Sequence, residues 1–259
     1  MKRTIIIAFA ALICSIVGHA ASAGNAGDSA YARQNYPQAL DSYRKALDTE
    51  GASSNLYYNI GNTYYRLGNI GQAIIFYERA LKVDPANEDA RINRDFVKSK
   101  IVGAPEDDSS FLTNIHEGIK SRFSPDTWAW LAFAMFVITC GCVALYLFTD
   151  RIMIRKTGFF GALVSLAVFI YILAIACQTA NAINDDSYAV ITAPVSNLRS
   201  QPSTAGGKTD KVVPIPGGAR VEIIDSLATP DDPNVSMWYE VKINNSSRAW
   251  LNAADAERI

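Results

Sequence analysis

The chain has 259 residues, and its 24 Lys and Arg nearly balance its 25 Asp and Glu, which gives a formal net charge of −1. Nucleic-acid-binding domains are usually strongly basic, so this balance argues against a nucleic-acid partner. The two histidines and four cysteines form no metal-ligand cluster, and no Ser-His-Asp, Cys-His or glycine-rich phosphate pattern is present, so we expect neither an enzyme nor a bound cofactor or metal.

Residues 1–23 are predicted to be a secretory signal peptide. Lys2 and Arg3 precede the apolar stretch Thr4–Val17, and Ala21-Ser22-Ala23 then offers a cleavage site of the small-x-small type. If this segment is retained as an anchor instead of being cleaved, the residues after it are still exported. Both alternatives place the following segment outside the cytoplasm.

Residues 24–102 contain an internal repeat with a period of 34 residues. Small and aromatic residues recur at this spacing: Gly27, Ala39, Tyr43 and Ala46 in the first copy, and Gly61, Ala73, Tyr77 and Ala80 in the second. The pattern resembles the tetratricopeptide repeat (TPR), a helix–turn–helix unit in which small residues lie where the two helices touch. We expect two repeats and a closing helix that begins at residue 88 and packs Ile92 and Phe96 against the array.

A stripe of polar and aromatic residues follows the first helix of the second repeat. Its members lie on one helix face because they recur at spacings of three and four: Asn55, Tyr58, Asn59, Asn62, Tyr65 and Arg66. In TPR proteins this face lines the concave groove, and Tyr and Arg are enriched in binding hot spots. We expect these residues to bind a protein partner without holding the array together. The alternative is a merely solvated face.

Residues 103–127 connect the repeats to the next segment. A linker is predicted over residues 103–110, followed by a short amphipathic helix with apolar residues at helical spacing: Phe111, Leu112, Ile115, Ile119 and Phe123. Such a helix either lies on the outer leaflet of a membrane or packs against the repeats, and the sequence leaves both alternatives open.

Two uncharged apolar runs, residues 128–148 and 157–177, are each long enough to cross a bilayer. A helix of about 20 residues spans the roughly 30 Å of hydrocarbon and satisfies its own backbone there. The spacer at residues 149–156 allows only an antiparallel hairpin, and its Arg151, Arg155 and Lys156 favour the cytoplasmic side. We expect a two-pass protein of the cytoplasmic (inner) membrane with both flanking domains on the periplasmic side.

Small residues lie at similar depth near the inner ends of the two runs: Ala144 and Gly161, then Gly141 and Ser165. Membrane helices approach closely where both carry small residues, because van der Waals packing there replaces the hydrophobic effect. The two helices are therefore predicted to touch in their cytoplasmic halves.

Residues 186–259 consist of short β-branched runs separated by turns, which predicts strands at 188–193, 195–199, 211–214, 219–225, 238–242 and 248–251. Strands of this number and length are typical of a small barrel. The run Asn197–Ser203, followed by Gly217-Gly218, Trp238-Tyr239-Glu240-Val241 and Trp250-Leu251, resembles bacterial SH3 domains.

The two tryptophans of this segment, Trp238 and Trp250, have two interpretations. They either pack within the domain or line an aromatic cleft for peptides, including those of the cell wall. The second interpretation provides an alternative function, a cell-envelope module that binds peptidoglycan.

Together the segments predict a multidomain membrane protein with α-helical TPR repeats, a two-helix transmembrane hairpin and a small all-β SH3-like barrel. This order resembles the BatE proteins of the Bacteroides aerotolerance operon, as do the runs Ser124–Leu131, Arg155–Phe160 and Asn87–Asn93. The resemblance implies a membrane-anchored scaffold that works with membrane-bound von Willebrand factor A-type proteins and a cytoplasmic MoxR-type AAA ATPase. It also implies a role in oxygen or stress tolerance, and it brings no catalytic residue.

Overall fold

The computed structural model describes residues 23–103, 110–183, 185–202, 211–229, 237–244 and 247–259. Residues 1–22 of the predicted signal peptide and most of the predicted linker lie outside these residues, whereas Ala23, the last residue of the predicted signal peptide, begins α1. The α-helices of this part of the chain are α1 (Ala23–Ala32), α2 (Tyr36–Glu50), α3 (Ser54–Arg66), α4 (Ile70–Val83), α5 (Glu88–Lys98), α6 (Phe111–Lys120), α7 (Pro125–Phe148) and α8 (Ile152–Ala182). The strands are β1 (Tyr188–Ile191), β2 (Val195–Arg199), β3 (Val212–Pro216), β4 (Arg220–Ala228), β5 (Met237–Asn244), β6 (Ser247–Asn252) and β7 (Ala256–Arg258).

Helices α2 to α5 each begin at a polar capping residue. The side chains of Asn35, Ser53, Asn69 and Asn87 each accept a hydrogen bond from the backbone N–H three residues later, at 3.0 to 3.3 Å. Such a cap satisfies a donor that has no partner inside the helix, and it is worth about 1 kcal/mol. Local sequence signals therefore determine where α2 to α5 begin. Helices α1 to α5 together are called the array below.

Glycine allows the two helices of each repeat to approach closely. A Cβ atom on Gly61 would lie 2.8 Å from the ring of Tyr77, and Gly27 is in the same relation to Tyr43. Both tyrosine side chains are buried in the core of the array. The predicted packing of the two TPR repeats is therefore confirmed.

The closing helix α5 packs with residues other than the predicted ones. Ala90 and Val97 are buried, whereas Ile92 and Phe96 are 57% and 51% exposed. The reason is the repeat register: Ile92 and Phe96 lie 34 residues after Tyr58 and Asn62, which are groove positions and not core positions.

Helices α7 and α8 are long and apolar enough to span a membrane, and they pack against each other as a hairpin. Only Thr149–Arg151 separates them, because α8 begins at Ile152 and includes Arg155 and Lys156. The predicted contact near the connecting loop is confirmed: a Cβ atom on Gly158 would lie 2.8 Å from the backbone nitrogen of Tyr146. A Cβ atom on Gly141, in contrast, would meet no described atom within 4 Å beyond its own stretch of helix, so Gly141 faces away from α8.

The C-terminal strands form one antiparallel sheet with the order β3-β2-β6-β5-β4-β1-β7. Within the described residues this sheet is open, so the prediction of a closed small barrel is wrong. Strand β7 is only three residues long, and its Glu257 binds Gln72 and Arg79 of α4. A helix of the array therefore lies beside this edge of the sheet, where a closed barrel would place β3.

The array and the sheet share a buried boundary. Val190 and Ile259 belong to the same apolar core as the helices of the array. A Cβ atom on Gly71 of α4 would lie 2.7 Å from the backbone oxygen of Ile191, and one on Gly218 would lie 3.0 Å from Ile74. The two parts of the chain that flank the hairpin are thus in close contact, although the hairpin separates them in sequence.

Candidate partner-binding surface

The candidate surface, called the groove below, lies along α1, α3 and α5. Side chains connect these helices at two equivalent points. Asn59 Nδ2 donates to Asp28 Oδ1 at 3.2 Å, and Asn93 Nδ2 donates to Asn62 Oδ1 at 2.8 Å. Because the second pair is the first one moved by 34 residues, α5 continues the repeat as the first helix of a third unit.

A second set of contacts follows the same register. Arg66 Nε donates to the hydroxyl of Tyr31 at 3.4 Å, and Lys100 Nζ donates to the hydroxyl of Tyr65 at 2.7 Å. The ammonium group of Lys100 also lies 4.1 Å from the ring centroid of Phe96. Cationic and aromatic groups therefore meet at the end of the groove formed by α3 and α5.

Buried tyrosines support the groove from the second helix of each repeat. The hydroxyl of Tyr43 donates to Asp28 Oδ1, and that of Tyr77 donates to Asn62 Oδ1, both at 2.7 Å. Burial raises the pKa of both phenols above the usual range, and the hydrogen bond to Asp28 raises the pKa of Tyr43 further. Both tyrosines are thus neutral hydrogen-bond donors at physiological pH.

The six residues predicted from the sequence all lie on α3. Asn55 and Arg66 are exposed near its two ends, and the four residues between them are partly buried: Tyr58, Asn59, Asn62 and Tyr65. The structure brings five of the six into contact with α1, α4 or α5, including a 3.3 Å hydrogen bond from Asn93 to the hydroxyl of Tyr58. The expectation that these side chains do not hold the array together is wrong for Asn62, which accepts hydrogen bonds from two helices. Their role in binding a partner stays a prediction.

The predicted partner-binding residues did not include the groove residues outside α3. These are Tyr31 on α1, together with Ile92, Asn93, Phe96 and Lys100 on and after α5. The 34-residue period contains the signal that could have found them, because adding 34 to Tyr58, Asn59, Asn62 and Arg66 gives the last four. With this addition the groove offers exposed apolar and aromatic surface beside two cations.

The second candidate site, the tryptophan pair of the sheet, has a different character. Trp238 is 2% exposed, so its ring faces are covered by protein and not presented to a ligand. Trp250 is partly buried on β6, where it lies opposite Glu240 of β5 and Arg199 of β2. This geometry agrees with the packing interpretation, and the peptidoglycan hypothesis stays a prediction.

Comparison with known families identifies the repeats. Residues 54–87 match the family model described as tetratricopeptide repeat, and residues 27–68 match a second model described as TPR repeat. No curated protein matches the chain. The chain therefore contains TPR repeats, which are units of protein–protein interaction scaffolds.

Proposed function

We propose that this protein is a membrane-anchored adaptor whose TPR groove binds a protein partner outside the cytoplasm. The observation that carries this proposal is the accessibility of the groove. Gln72 and Arg79 make polar contacts to β7, Lys82 makes one to Asp186 just before β1, and all three lie on α4. Arg66, Ile92 and Phe96 on the groove remain exposed, and Tyr and Arg side chains with apolar neighbours are frequent anchors of interfaces.

The proposed topology has support from the fold. The array precedes the hairpin and the sheet follows it, and the contact between them requires both to lie on one side of the membrane. The signal-peptide pattern and the basic residues Arg151, Arg155 and Lys156 favour the outer side for both parts. Protease added to intact spheroplasts should then digest the array and the sheet while an epitope in the connecting loop stays protected. Protection of either soluble part would contradict this topology.

The proposed partners follow from the resemblance to BatE proteins. They are membrane-bound von Willebrand factor A-type proteins, which the groove would reach directly, and through them a MoxR-type ATPase of the cytoplasm. The physiological role would be aerotolerance or protection against oxidative stress.

Removal of the groove side chains tests the proposal. The double variant Tyr65→Ala/Arg66→Ala removes one partly buried aromatic ring and one exposed cation, and it should lose the partner that co-purifies from native membranes. The matched control is Asp41→Ala/Lys45→Ala, which removes an exposed ion pair from α2. Both variants should keep the far-ultraviolet circular dichroism of the wild type. Undiminished recovery of the partner with the groove variant would place its binding site elsewhere.

A further inference from the structure

Helix α6 has an apolar face that the described parts of the protein leave uncovered. Phe111 and Leu112 are 75% and 73% exposed, and Ile115, Ile119 and the following Phe123 are exposed as well. The opposite face is polar and includes Glu117 and Lys120, whose side chains form an ion pair at 3.0 Å. A helix with this division of faces requires an apolar surface or medium next to it.

The position of α6 relative to the hairpin is fixed by contacts at His116 and at the end of the helix. The ring nitrogens of His116 lie 3.4 Å from the hydroxyl of Tyr171 and 3.0 Å from Gln178 Oε1, both on α8. At the end of α6, Trp128 Nε1 donates to the backbone oxygen of Lys120 at 3.1 Å. The apolar face stays exposed although the helix is attached to the hairpin.

These contacts also set the level of α6 along the hairpin. Tyr171 and Gln178 lie two helical turns apart, about 10 Å along the axis. The apolar run of α8 ends between them, because Gln178 is its first polar residue after Cys177. Helix α6 therefore lies where hydrocarbon would give way to lipid headgroups.

The hairpin to which α6 is attached exposes apolar side chains as well. Trp128 of α7 packs on Phe123 with ring centroids 5.3 Å apart, and Trp130 and Phe133 of the same helix are 71% and 58% exposed. On this surface the outward side chains of a membrane span meet lipid. The same medium is the occupant that the neighbouring face of α6 fits.

We infer that α6 is a membrane-surface helix whose apolar face is buried among lipid acyl chains, on the side of the membrane that carries the array and the sheet. The inference rests on the proposed membrane hairpin. It has a consequence for the array, because Arg91 of α5 donates to the backbone oxygen of Ser121 at 2.8 Å, directly after α6. The groove is thereby held close to the lipid surface, in reach of a membrane-bound partner.

Spin labels on single cysteines test the inference in the full-length protein. All four native cysteines are replaced by alanine, and the protein is reconstituted in phosphatidylcholine vesicles. Labels are attached at Leu112→Cys on the apolar face, at Glu117→Cys on the opposite face as the matched position, and at Phe136→Cys within α7 as the reference for lipid. Collisions with oxygen report on lipid, and collisions with a water-soluble nickel chelate report on water.

We expect the labels at Leu112→Cys and Phe136→Cys to collide readily with oxygen, and to collide with the nickel chelate several-fold less often than the label at Glu117→Cys. If Leu112→Cys is as accessible to the chelate as Glu117→Cys while Phe136→Cys remains in lipid, α6 lies in water. That result overturns the inference but leaves the proposed membrane hairpin intact. If Leu112→Cys is shielded from both reagents, protein covers the face, which also overturns it. If Phe136→Cys is itself accessible to the chelate, the hairpin does not span the bilayer and the proposed anchoring fails as well.

Discussion

The amide oxygen of Asn62 accepts a 2.7 Å hydrogen bond from the hydroxyl of Tyr77 and a 2.8 Å hydrogen bond from Asn93 Nδ2. One atom on α3 is therefore bonded to α4 and to α5. Since Tyr77 is 1% exposed, its hydroxyl has no access to water that could replace Asn62. Asn62 is part of the groove surface and also connects the second repeat to the closing helix.

Replacement of Asn62 should therefore destabilise the array. Asn62→Leu keeps a similar volume but leaves the buried hydroxyl of Tyr77 without its acceptor, which costs about 1–3 kcal/mol of unfolding free energy. Urea unfolding of the detergent-solubilised protein, followed by circular dichroism, measures this loss. The control is Asn55→Leu at the exposed start of α3, for which the change should stay within about 0.5 kcal/mol. Equal stability of the two variants would show that the hydrogen bonds of Asn62 contribute nothing.

The buried tyrosines predict a loss of stability in alkali. Burial raises the pKa of Tyr77 and of Tyr43 in the folded state, so the folded protein retains phenolic protons that the unfolded chain releases above about pH 10. The stabilisation that the two buried phenols give the folded state is fully present below that pH, and it is lost as the pH rises through their folded-state pKa values. The unfolding free energy should thus fall as the pH rises above about 10, and less steeply in Tyr77→Phe. Parallel pH profiles for the wild type and this variant, measured by urea unfolding, would contradict the prediction.

The sequence predicts those parts of the fold that rest on short-range periodicity. Gly61 and Tyr77 pack together because both lie within one repeat, and 34-residue spacing is enough to find them. The boundary between the array and the sheet has no such signal. Gly71 lies beside Ile191, and Gly218 lies beside Ile74, only because segments on either side of the hairpin meet in space. Strand β7 has only three residues, which is too few to show the alternation of apolar and polar residues that predicts a strand.

For the hairpin, composition predicts contact but not the rotation of the helices about their axes. Gly141 and Gly158 are equally small, and only the relative rotation of α7 and α8 decides that Gly158 faces the partner helix. For the groove, the prediction depends on whether α5 is aligned with the first helix of the 34-residue repeat. Ile92, Phe96 and Lys100 are assigned to the groove only when α5 is treated as a third copy of the repeat and not as a closing helix.

Gly71 offers a test of the boundary between the array and the sheet. A side chain there meets backbone atoms, Ile191 O at 2.7 Å and Thr192 Cα at 3.1 Å, which cannot rotate away. Gln72→Cys and Glu257→Cys in the cysteine-free protein should be joined by a short bis-maleimide, because the native side chains are hydrogen-bonded at 2.7 Å. Gly71→Val should abolish most of this cross-link. Gly118→Val is the control, since a Cβ atom at Gly118 meets no described atom within 4 Å, and it should leave the yield unchanged.

A matched pair of glycines tests the contact within the hairpin. Thr139→Cys and Ser165→Cys in the cysteine-free protein should form a disulfide readily, because the two native hydroxyl oxygens lie 3.0 Å apart. Gly158→Val introduces a branched side chain against the backbone of α7 and should reduce the yield of this disulfide strongly. The same substitution at Gly141 points away from α8 and should not affect it. Equal yields in both variants would show that α7 and α8 do not pack through Gly158.

Helix α4 packs on α3 with one face and on the sheet with the other, and this affects the order in which the protein can mature. Synthesis produces α4 before the hairpin and the sheet after it. Until β1 and the turn at Gly218 have been made, Ile70, Ile74 and Ile101 lack the partner that covers them in the finished protein. The array can therefore complete its core only after both apolar helices have been made. In the proposed membrane topology, a chain whose hairpin is inserted wrongly would carry the sheet on the opposite side of the membrane, and its uncovered α4 would distinguish it from a correctly assembled molecule.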